Sequence, residues 1–429
     1  MISYPHNGGN MAASTVKRPP AKAPVRKPQA EKKKTGKKVI DPDRIRLFFT
    51  KGSIDVPMLV ITVVLLVLGI TMMFSASHAL SYRDNGDSYS YAVSQMTFAG
   101  IGLLLMFLAS FVDYRLLRAE KSFNIFGRKM ELTFSHLVLA VAFVPMFLII
   151  PFGVSNTENG PRRWLPIFGR TFQPSDIMKF ALIIFFAYYI SKNYKKMRYT
   201  VTGLVKPFIL LAVVGWLMYI QPHLSGLLIM LMICAAMLFI GGVNMKTVIV
   251  VGAAAVVMLV LAFATSEFTY FADRIMYTFD PLADKGDKTY QSYQAVLAIG
   301  SGGLWGVGFG NSAQKYYYLP DAENDFVFAI LCEEFGFIGG ALVIILFLIF
   351  VLRGFYIARK SEDRFGMLLA TGITLQVGLQ ALLNIGVNCC CIPNTGISLP
   401  FFSYGGTALV IQLVEVGLLL AVSRRAKLN

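Results

Sequence analysis

The sequence predicts an all-α polytopic membrane protein of about ten transmembrane helices with one long extracellular loop. Hydrophobic residues make up 55% of the 429 positions and charged residues 15%, whereas soluble domains are about one quarter charged. The chain contains ten apolar runs close to the roughly 20 residues that span a bilayer. Lys and Arg are unequally distributed among the segments that join these runs. Together these observations exclude a soluble globular fold.

The apolar runs define the predicted spans in chain order. The third run is short and contains Pro145, which a helix bundle tolerates when neighbouring groups satisfy the freed backbone. We predict spans at 57–78, 92–112, 136–152, 174–192, 205–221, 224–242, 247–266, 326–352, 366–388 and 404–422.

The charge distribution predicts that both termini are cytoplasmic. With the N-terminus inside, 31 of the 40 Lys and Arg residues fall on the inner side and eight fall on outer segments. Inner loops of membrane proteins carry this excess of positive charge, and shifting the topology by one span would remove it. The net charge of +16 therefore reflects membrane orientation, and nucleic acid is not a predicted partner.

The chain divides into a tail and a membrane domain. Residues 1–52 are predicted to be a disordered basic cytoplasmic tail, because the stretch 12–38 is rich in Pro, Ala and Lys. The tail has no apolar run typical of a signal peptide, and its basic residues suit anionic membrane lipids. Binding of a protein partner is the alternative role. Residues 53–429 form the ten-span domain, in which 267–325 is the long extracellular loop.

The sequence predicts no metal site. Three of the five cysteines are adjacent at 389–391, a spacing that does not match zinc ligation, and the chain has no HExxH pattern. We interpret these cysteines as small packing residues at a helix end.

Ionisable residues inside the predicted spans are candidates for function, because burying charge in a bilayer is costly. Asp176 and Lys179 lie three positions apart near the outer end of the fourth span, so an internal ion pair is the structural alternative. Glu333 and Glu334 lie about two turns into the eighth span. We expect them to face the bundle interior and to pair with a cation or a backbone group.

Cations are concentrated in the outer segment between the third and fourth spans. Arg162, Arg163 and Arg170 lie there beside Trp164, on the side where positive charge is normally depleted. Retained arginines indicate an anionic partner such as a lipid phosphate or pyrophosphate. Trp164 is alternatively an anchor at the membrane interface.

The long loop ends in three acidic residues, Asp321, Glu323 and Asp325, directly before the eighth span. A carboxylate at such a junction is partly desolvated, which raises its pKa and suits a general base. Capping of the eighth helix is the alternative. The spacing alone leaves both open.

These segments resemble the SEDS (shape, elongation, division and sporulation) family, also called the FtsW/RodA/SpoVE family. The likeness covers residues 53–425 in order. The matching pieces are DYR at 113–115, GPRRW at 160–164, FQPSD at 172–176 with Lys179, QP at 221–222, AIGSGGL at 298–304, GFGNS at 308–312, YLP at 318–320, PNTG at 393–396 and LPFFSYGG at 399–406.

The resemblance implies a peptidoglycan glycosyltransferase of the bacterial plasma membrane. Such an enzyme joins lipid-linked disaccharide-pentapeptides (lipid II) into β-1,4 glycan strands and releases undecaprenyl pyrophosphate. The family's catalytic aspartate falls on Asp325, the expected general base. The usual family pattern there is Pro-Glu-Ala-His-Thr-Asp-Phe, so Asp321, Glu323 and Asn324 depart from it. His223 also departs, standing where the family usually has an acid.

The resemblance also assigns supporting roles. A bound Mg²⁺ or Mn²⁺ would share the stabilisation of the pyrophosphate, although the sequence shows no dedicated ligand set for it. The predicted ligands of the pyrophosphate and lipid II are Arg162, Arg163, Trp164, Lys179, Arg274 and Lys315. The predicted supporting residues are Asp176, Glu333, Glu334 and Ser403.

Two other functions stay open at this point, a lipid II flippase and an inactive scaffold. The basic tail and the stretch 397–409 resemble most the cell-division branch or its sporulation relative, with an elongation role as the alternative. The expected partners are a class B penicillin-binding protein, which is a transpeptidase, and other division proteins at the septum.

Overall fold

The computed structural model describes residues 52–125, 128–155, 162–167, 170–199, 201–243 and 289–426, together with Ile249 and Gly252. The bounds of the ten α-helices found in these ranges follow in chain order. They are α1 (Val56–Asn85), α2 (Ser90–Phe111), α3 (Phe134–Phe152), α4 (Pro174–Tyr199), α5 (Val205–Ile220), α6 (Leu224–Ile240), α7 (Tyr290–Gly302), α8 (Val327–Lys360), α9 (Arg364–Asn388) and α10 (Gly406–Ser423).

The helices confirm the predicted fold class. Seven of the described helices are long and apolar enough to cross a membrane, and α5 and α6 are shorter apolar helices. Nine predicted spans therefore coincide with α1–α6 and α8–α10. The seventh, 247–266, lies outside the described residues except at Ile249 and Gly252, as do the tail 1–51 and the first part of the predicted loop. The helix α7 has 13 residues and lies in the described part of that loop.

Two short antiparallel hairpins join the helices. The strands β1 (Glu120–Ile125) and β2 (Arg128–Thr133) pair between α2 and α3, with Glu120 opposite Thr133. The strands β3 (Leu165–Ile167) and β4 (Arg170–Phe172) pair directly before α4, with Leu165 opposite Phe172. The second hairpin leads the predicted outer arginine segment onto the first turn of α4.

Ion pairs hold the helices together at one end of the bundle, which we call the basic end. Asp55 accepts a hydrogen bond from the Met58 amide (2.9 Å) and so caps α1, and it also binds Arg353 Nη2 on α8 (2.7 Å). Asp113 after α2 binds Arg425 Nη2 after α10 (3.0 Å). The first helix is thereby joined to α8, and the end of the last helix to the chain that follows α2.

The helices α4 and α9 form the centre of the bundle. Their most apolar 18-residue windows are 78% and 72% buried, against 28% for those of α2, α3 and α8. Exposed Leu, Ile, Val and Phe side chains cover the outer helices, as expected where the surrounding solvent is lipid. Polar side chains carried inward by α4 and α9 are therefore shielded from both water and lipid.

The helix α8 is broken at Gly336, whose φ of 66° is left-handed. The loop after α7 fills the break. The amides of Val307 and Gly308 donate to the carbonyls of Glu333 and Glu334 (both 3.0 Å), and the Phe337 amide donates to the Gly303 carbonyl (2.9 Å). Only glycine fits this position without strain, and the inserted loop satisfies backbone groups that a break inside a membrane leaves unpaired.

A second close approach joins α1 to the segment before α10. A Cβ atom added at Gly69 would lie 2.2 Å from the backbone oxygen of Phe401. Phe401 is buried and has a left-handed φ of 66°, a conformation that is unfavourable for a bulky residue. Contact with α1 therefore helps to hold a strained turn directly before Ser403.

We expect the Gly69→Ala substitution to destabilise the protein by about 1–3 kcal/mol, because the added methyl group meets backbone that moves only with the whole turn. Thermal unfolding in detergent measures the change. The matched control is Gly100→Ala on α2, where an added Cβ has no heavy atom within 4 Å, so its melting temperature should be unchanged or higher. Equal melting temperatures for Gly69→Ala and the wild type would contradict the close contact.

Candidate functional site

A cavity of about 1380 Å³ opens at the end of the bundle opposite the basic end. Its walls are the C-terminal end of α1, the N-terminal ends of α2, α4 and α10, and parts of the segments 315–325 and 396–405. Of the predicted site residues, the cavity lining includes Arg163, Trp164, Asp176, Lys315, Asp325 and Ser403. The fold therefore brings together residues that are separated by up to 240 positions.

Asp325 is half-buried and lines the cavity just before α8. The preceding turn is set by Asp321, which has a left-handed φ of 54° and whose carbonyl accepts the amides of Asn324 (3.0 Å) and Asp325 (3.1 Å). The capping position of α8 is taken by Phe326. A Cβ atom built at Gly396 would lie 3.5 Å from Asp325 Oδ2, so the backbone of 396 closely approaches the carboxylate.

The segment that carries Asp325 is held in place through three successive backbone carbonyls. The Tyr404 amide donates to the Glu323 carbonyl (2.9 Å), and Ser403 Oγ donates to the Asn324 carbonyl (2.6 Å). The Asp325 carbonyl accepts from two side chains of α9, Asn384 Nδ2 (2.8 Å) and Asn388 Nδ2 (2.9 Å). We call these contacts the carbonyl anchors. They fix the backbone carbonyls, and the residues that carry these carbonyls line the cavity.

Asn388 performs a second task at the same place. Its Oδ1 accepts the Ala329 amide (3.0 Å) in the first turn of α8, and that amide also donates to the Phe326 carbonyl (3.0 Å). One side chain thus positions both the last loop carbonyl and the start of the helix. The alternative in which Asp325 occupies the capping position is wrong, because Phe326 occupies it.

Glu323 adds a second carboxylate to the cavity wall. Its residue surface is 8% exposed, and burial raises its pKa to about 7, with smaller raising effects from Asp321 and Asp84 and a lowering effect from Arg83. Burial also raises the pKa of the Asp321 carboxyl. This wall of the cavity is therefore acidic, and one of its acids titrates near neutral pH.

The floor of the cavity is a buried ion pair. Lys315 Nζ lies 3.0 Å from Glu334 Oε1, and it also donates to Ser75 Oγ (3.1 Å) and to the Gly310 carbonyl (2.7 Å). An ammonium group has three N–H donors, so all of them are in use. Lys315 is thus engaged in joining α1, the loop and α8.

The adjacent Glu333 binds the same loop. Its carboxylate accepts from Ser312 Oγ and from the Ala313 amide (2.9 Å). Glu333 and Glu334 therefore face the bundle interior and pair with a backbone group and a cation, as expected from the sequence. Both are at most 3% exposed.

The opposite wall of the cavity is basic and aromatic. Arg163 donates from Nη2 to the Pro222 carbonyl, and Trp164 forms a backbone bridge with Val154 that fixes the segment against the end of α3. Both line the cavity, whereas Arg162 is exposed and is not part of its lining. Gln173 Nε2 lies 3.0 Å from His223 Nε2. Burial lowers the pKa of His223, and Arg163 and Lys179 lower it further, so this imidazole is neutral at pH 7.

Asp176 and Lys179 on α4 form an ion pair, which is the structural alternative predicted for them from the sequence. Lys179 Nζ lies 2.8 Å from Asp176 Oδ1, and both side chains are largely buried. Nearby on α10, the fully buried Glu415 accepts two hydrogen bonds from Gln376 Nε2 (2.9 and 2.8 Å). Asp176 lines the cavity, so this polar cluster extends from the cavity into the bundle.

Two predicted features are not described in this structure. Arg274 lies outside the described residues. Among the residues that are described, no three His, Cys, Asp or Glu side chains are grouped so that they could hold a metal ion.

Three polar residues of the site are not among the residues predicted from the sequence. They are Asn384, Asn388 and Glu415, and all of them lie in predicted spans. The four-residue spacing of the two asparagines, which places them on one helix face, was an available signal, and Glu415 met the rule that ionisable residues in spans are functional candidates. Glu323 was predicted as one of the three acidic residues at the end of the loop and as a departure from the family pattern, without a role of its own.

The fold and the cavity define an integral membrane protein that presents a polar, acid-bearing site at one end of its helix bundle. The comparisons with known proteins are more specific. The profile of the FtsW/RodA/SpoVE family, described as cell cycle proteins, matches residues 56–428. The chain therefore belongs to this family.

Relatives and solved structures agree with this membership. The chain is 36% identical to stage V sporulation protein E of Bacillus subtilis over 88% of this chain and 99% of that protein. It is 34% identical to the probable peptidoglycan glycosyltransferase FtsW of Nitrosomonas europaea over 88% and 94% of the two chains.

Two solved structures share the fold at 24% identity. A chain of a peptidoglycan synthase complex, described as coordinating polymerization and crosslinking, has a TM-score of 0.69 and covers 88% of this chain and 99% of its own. The rod shape determining protein RodA of Thermus thermophilus has a TM-score of 0.61 with 88% and 98% coverage.

The ion pair of the cavity floor yields a stability prediction. We expect Lys315→Met to destabilise the protein by about 3–5 kcal/mol, because it leaves the Glu334 carboxylate buried and unpaired. The double substitution Lys315→Met/Glu334→Gln should recover more than half of that loss. Thermal unfolding of the purified protein measures both.

The control for this prediction is Lys192→Met. Lys192 pairs with Glu120 at 2.6 Å, but their side chains are 37% and 40% exposed, so the loss should be at most about 1 kcal/mol. Similar melting temperatures for Lys315→Met and Lys192→Met would show that Lys315 does not support the fold.

Proposed function

We propose that the protein is a peptidoglycan glycosyltransferase that polymerises lipid II into β-1,4 glycan strands at the outer face of the bacterial plasma membrane. The observation that carries the proposal is the anchoring of Asp325 at the cavity wall by four hydrogen bonds to three successive backbone carbonyls. The names of several relatives as probable peptidoglycan glycosyltransferases support it. The asymmetric charge distribution supports the outer location.

In the proposed mechanism Asp325 is the general base. It takes the proton of the acceptor sugar's 4-hydroxyl as that oxygen attacks the anomeric carbon of the donor, and undecaprenyl pyrophosphate leaves. The donor is α-linked and the product β-linked, so a single inverting displacement with one base suffices, by analogy with inverting glycosidases. A rigidly held carboxylate suits this role, because proton transfer requires hydrogen-bond geometry.

Arg163 is the proposed ligand of the departing pyrophosphate. It lines the cavity beside Trp164, and the neutral imidazole of His223 adds no competing charge. An arginine aimed at developing negative charge in a site with little water stabilises it strongly. Arg162 is exposed, and we propose that it attracts the anionic lipid. Arg274 stays a candidate predicted from the sequence.

The buried lysines are proposed to act indirectly. Lys315 and Lys179 are already paired with Glu334 and Asp176, so releasing either one to pyrophosphate would strand a carboxylate. We assign them to positioning the cavity floor and the start of α4. No step is assigned to a divalent cation.

A lipid II flippase is the alternative function. The observation that favours it is Glu415, a fully buried carboxylate on α10 near Asp176 and Lys179, since polar groups at membrane depth mark transport paths. Most candidate groups nevertheless lie at the cavity end, where a polymerase needs them. For this reason we place polymerisation first.

Cell division is the proposed process. Relatives with division and sporulation names have similar identities, and the basic tail and the stretch 397–409 resemble the division branch or its sporulation relative more than the elongation branch. The proposed partners are a class B penicillin-binding protein and other division proteins at the septum. Co-purification from dividing cells tests this, and recovery of only an elongation or sporulation transpeptidase would reverse it.

The proposed role of Asp325 predicts a loss of activity on substitution. We expect Asp325→Asn to lower the rate of lipid II polymerisation by about 10²–10⁴-fold, because the amide cannot accept the proton. Purified protein in complex with its transpeptidase is incubated with labelled lipid II, and glycan length is resolved by electrophoresis. The control is Glu362→Gln, a carboxylate-to-amide change at the basic end with a side chain that is 47% exposed.

The same proteins test the flippase. Labelled lipid II is placed in the inner leaflet of proteoliposomes, and its appearance outside is followed. Translocation by the wild type that is lost in Asp325→Asn, with no polymerisation by either, would replace the polymerase with the flippase.

The second prediction concerns the carbonyl anchors. We expect Asn388→Ala to lower kcat about tenfold with little change in KM. The hydrogen bonds to the Asp325 carbonyl and the Ala329 amide hold Asp325 in position, and losing them should raise the activation free energy by about 1–2 kcal/mol. The control is Asn311→Ala, an exposed amide that binds the Val307 carbonyl (3.2 Å) in the same loop. A raised KM with unchanged kcat would assign Asn388 to binding instead.

A further inference from the structure

Glu323 is a buried carboxylate at the cavity wall with few partners of its own. Its backbone is held by the Tyr404 amide (2.9 Å), and the residue is 8% exposed. Among the described residues, its carboxylate contacts are a long hydrogen bond from Asn324 Nδ2 (3.4 Å) and its own backbone N–H. A buried carboxylate normally accepts several hydrogen bonds or pairs with a cation.

The charged groups around Glu323 do not compensate its charge. Arg83 on α1 is bound to Asp84 (2.9 Å), and Tyr91 on α2 also donates to Asp84 (2.9 Å). Asp321 lies on the same turn and is acidic. Tyr404, on the segment before α10, donates its backbone amide to the Glu323 carbonyl and not to the Glu323 carboxylate. The carboxylate is therefore short of donors on the side that faces the cavity.

We propose that Glu323 is a saccharide-binding residue that accepts a hydrogen bond from a hydroxyl or amide N–H group of the bound acceptor. The inference rests on the proposed function. Glu323 lies two residues before Asp325 and lines the same cavity. When the 4-hydroxyl of a sugar reaches Asp325, the neighbouring polar groups of that sugar therefore lie against the wall that carries Glu323. A carboxylate offers acceptors only, which matches the donors that a sugar ring carries.

This role has a pH dependence of defined sign. Burial raises the pKa of Glu323 to about 7, and the deprotonated form is the better acceptor. Saccharide donors stabilise that form, so binding strengthens as the pH rises through 7. KM for lipid II should therefore fall by up to about tenfold between pH 6 and pH 8, since one proton is released per acceptor bound.

The test compares Glu323→Gln with the wild type. The full-length protein, purified with its transpeptidase, is assayed for polymerisation of lipid II from pH 6 to pH 8. In Glu323→Gln we expect KM at pH 8 to rise about tenfold, as for loss of a charge-assisted hydrogen bond, and to vary little with pH. We expect kcat to stay within about threefold of the wild type, because the base Asp325 is retained.

A second variant tests the charge environment. Asp321→Asn removes a neighbouring negative charge and retains a residue type that tolerates the left-handed φ of 54°. The pH at which KM changes should move downward in this variant, because Asp321 raises the pKa of Glu323. Glu362→Gln at the basic end is the control and should keep the wild-type profile.

The outcomes separate the inference from the proposed function. If the wild type polymerises lipid II and Glu323→Gln keeps the wild-type dependence of KM on pH, the saccharide contact is wrong and the polymerase stands. A fall in kcat and melting temperature at every pH, with no change in KM, would assign Glu323 a purely structural role and also overturn the contact. If the wild type does not polymerise lipid II, the proposed function fails and the contact fails with it.

Discussion

The buried ion pair between Lys315 and Glu334 supports the whole cavity end of the molecule. It joins a loop to the broken helix α8, and Ser75 Oγ, which donates to Glu334 at 2.6 Å, adds the first helix to the same point. The backbone break at Gly336 is stable because the loop amides bind the carbonyls that the break frees. Opening this floor would expose a charge pair and unpaired backbone groups to lipid, and both are strongly unfavourable.

The cavity wall that carries Asp325 depends on that floor. The segment from Lys315 to Asp325 leaves the ion pair, passes the turn at Asp321 and enters α8. It is then held from the C-terminal half of the chain, by Ser403 and the two asparagines of α9. Asp325 thus stands between two fixed points of different chemistry, one ionic and one made of neutral hydrogen bonds.

Much of this architecture was predictable from the sequence, and the reasons for the failures are physical. Apolar runs and charge asymmetry identified the spans, because lipid selects side chains by polarity over lengths of a helix. The break at Gly336 was invisible to hydropathy, which does not report where backbone hydrogen bonds end. Lys315 was predicted to be a ligand because its partner Glu334 lies 19 positions away and was considered separately. Asp325 was found by family resemblance, since its spacing alone fitted a helix cap equally well.

The carbonyl anchors make the position of Asp325 independent of the side chains that precede it. Every amino acid carries a backbone carbonyl, so the contacts to 323, 324 and 325 survive replacement of those residues. The turn itself requires only a residue at 321 that accepts a left-handed φ. The stretch 321–324 is therefore free to diverge while Asp325 stays in register, and a lineage could adjust the acidity of the cavity wall without rebuilding it. Three of the residues that depart from the family pattern, Asp321, Glu323 and Asn324, lie in that stretch.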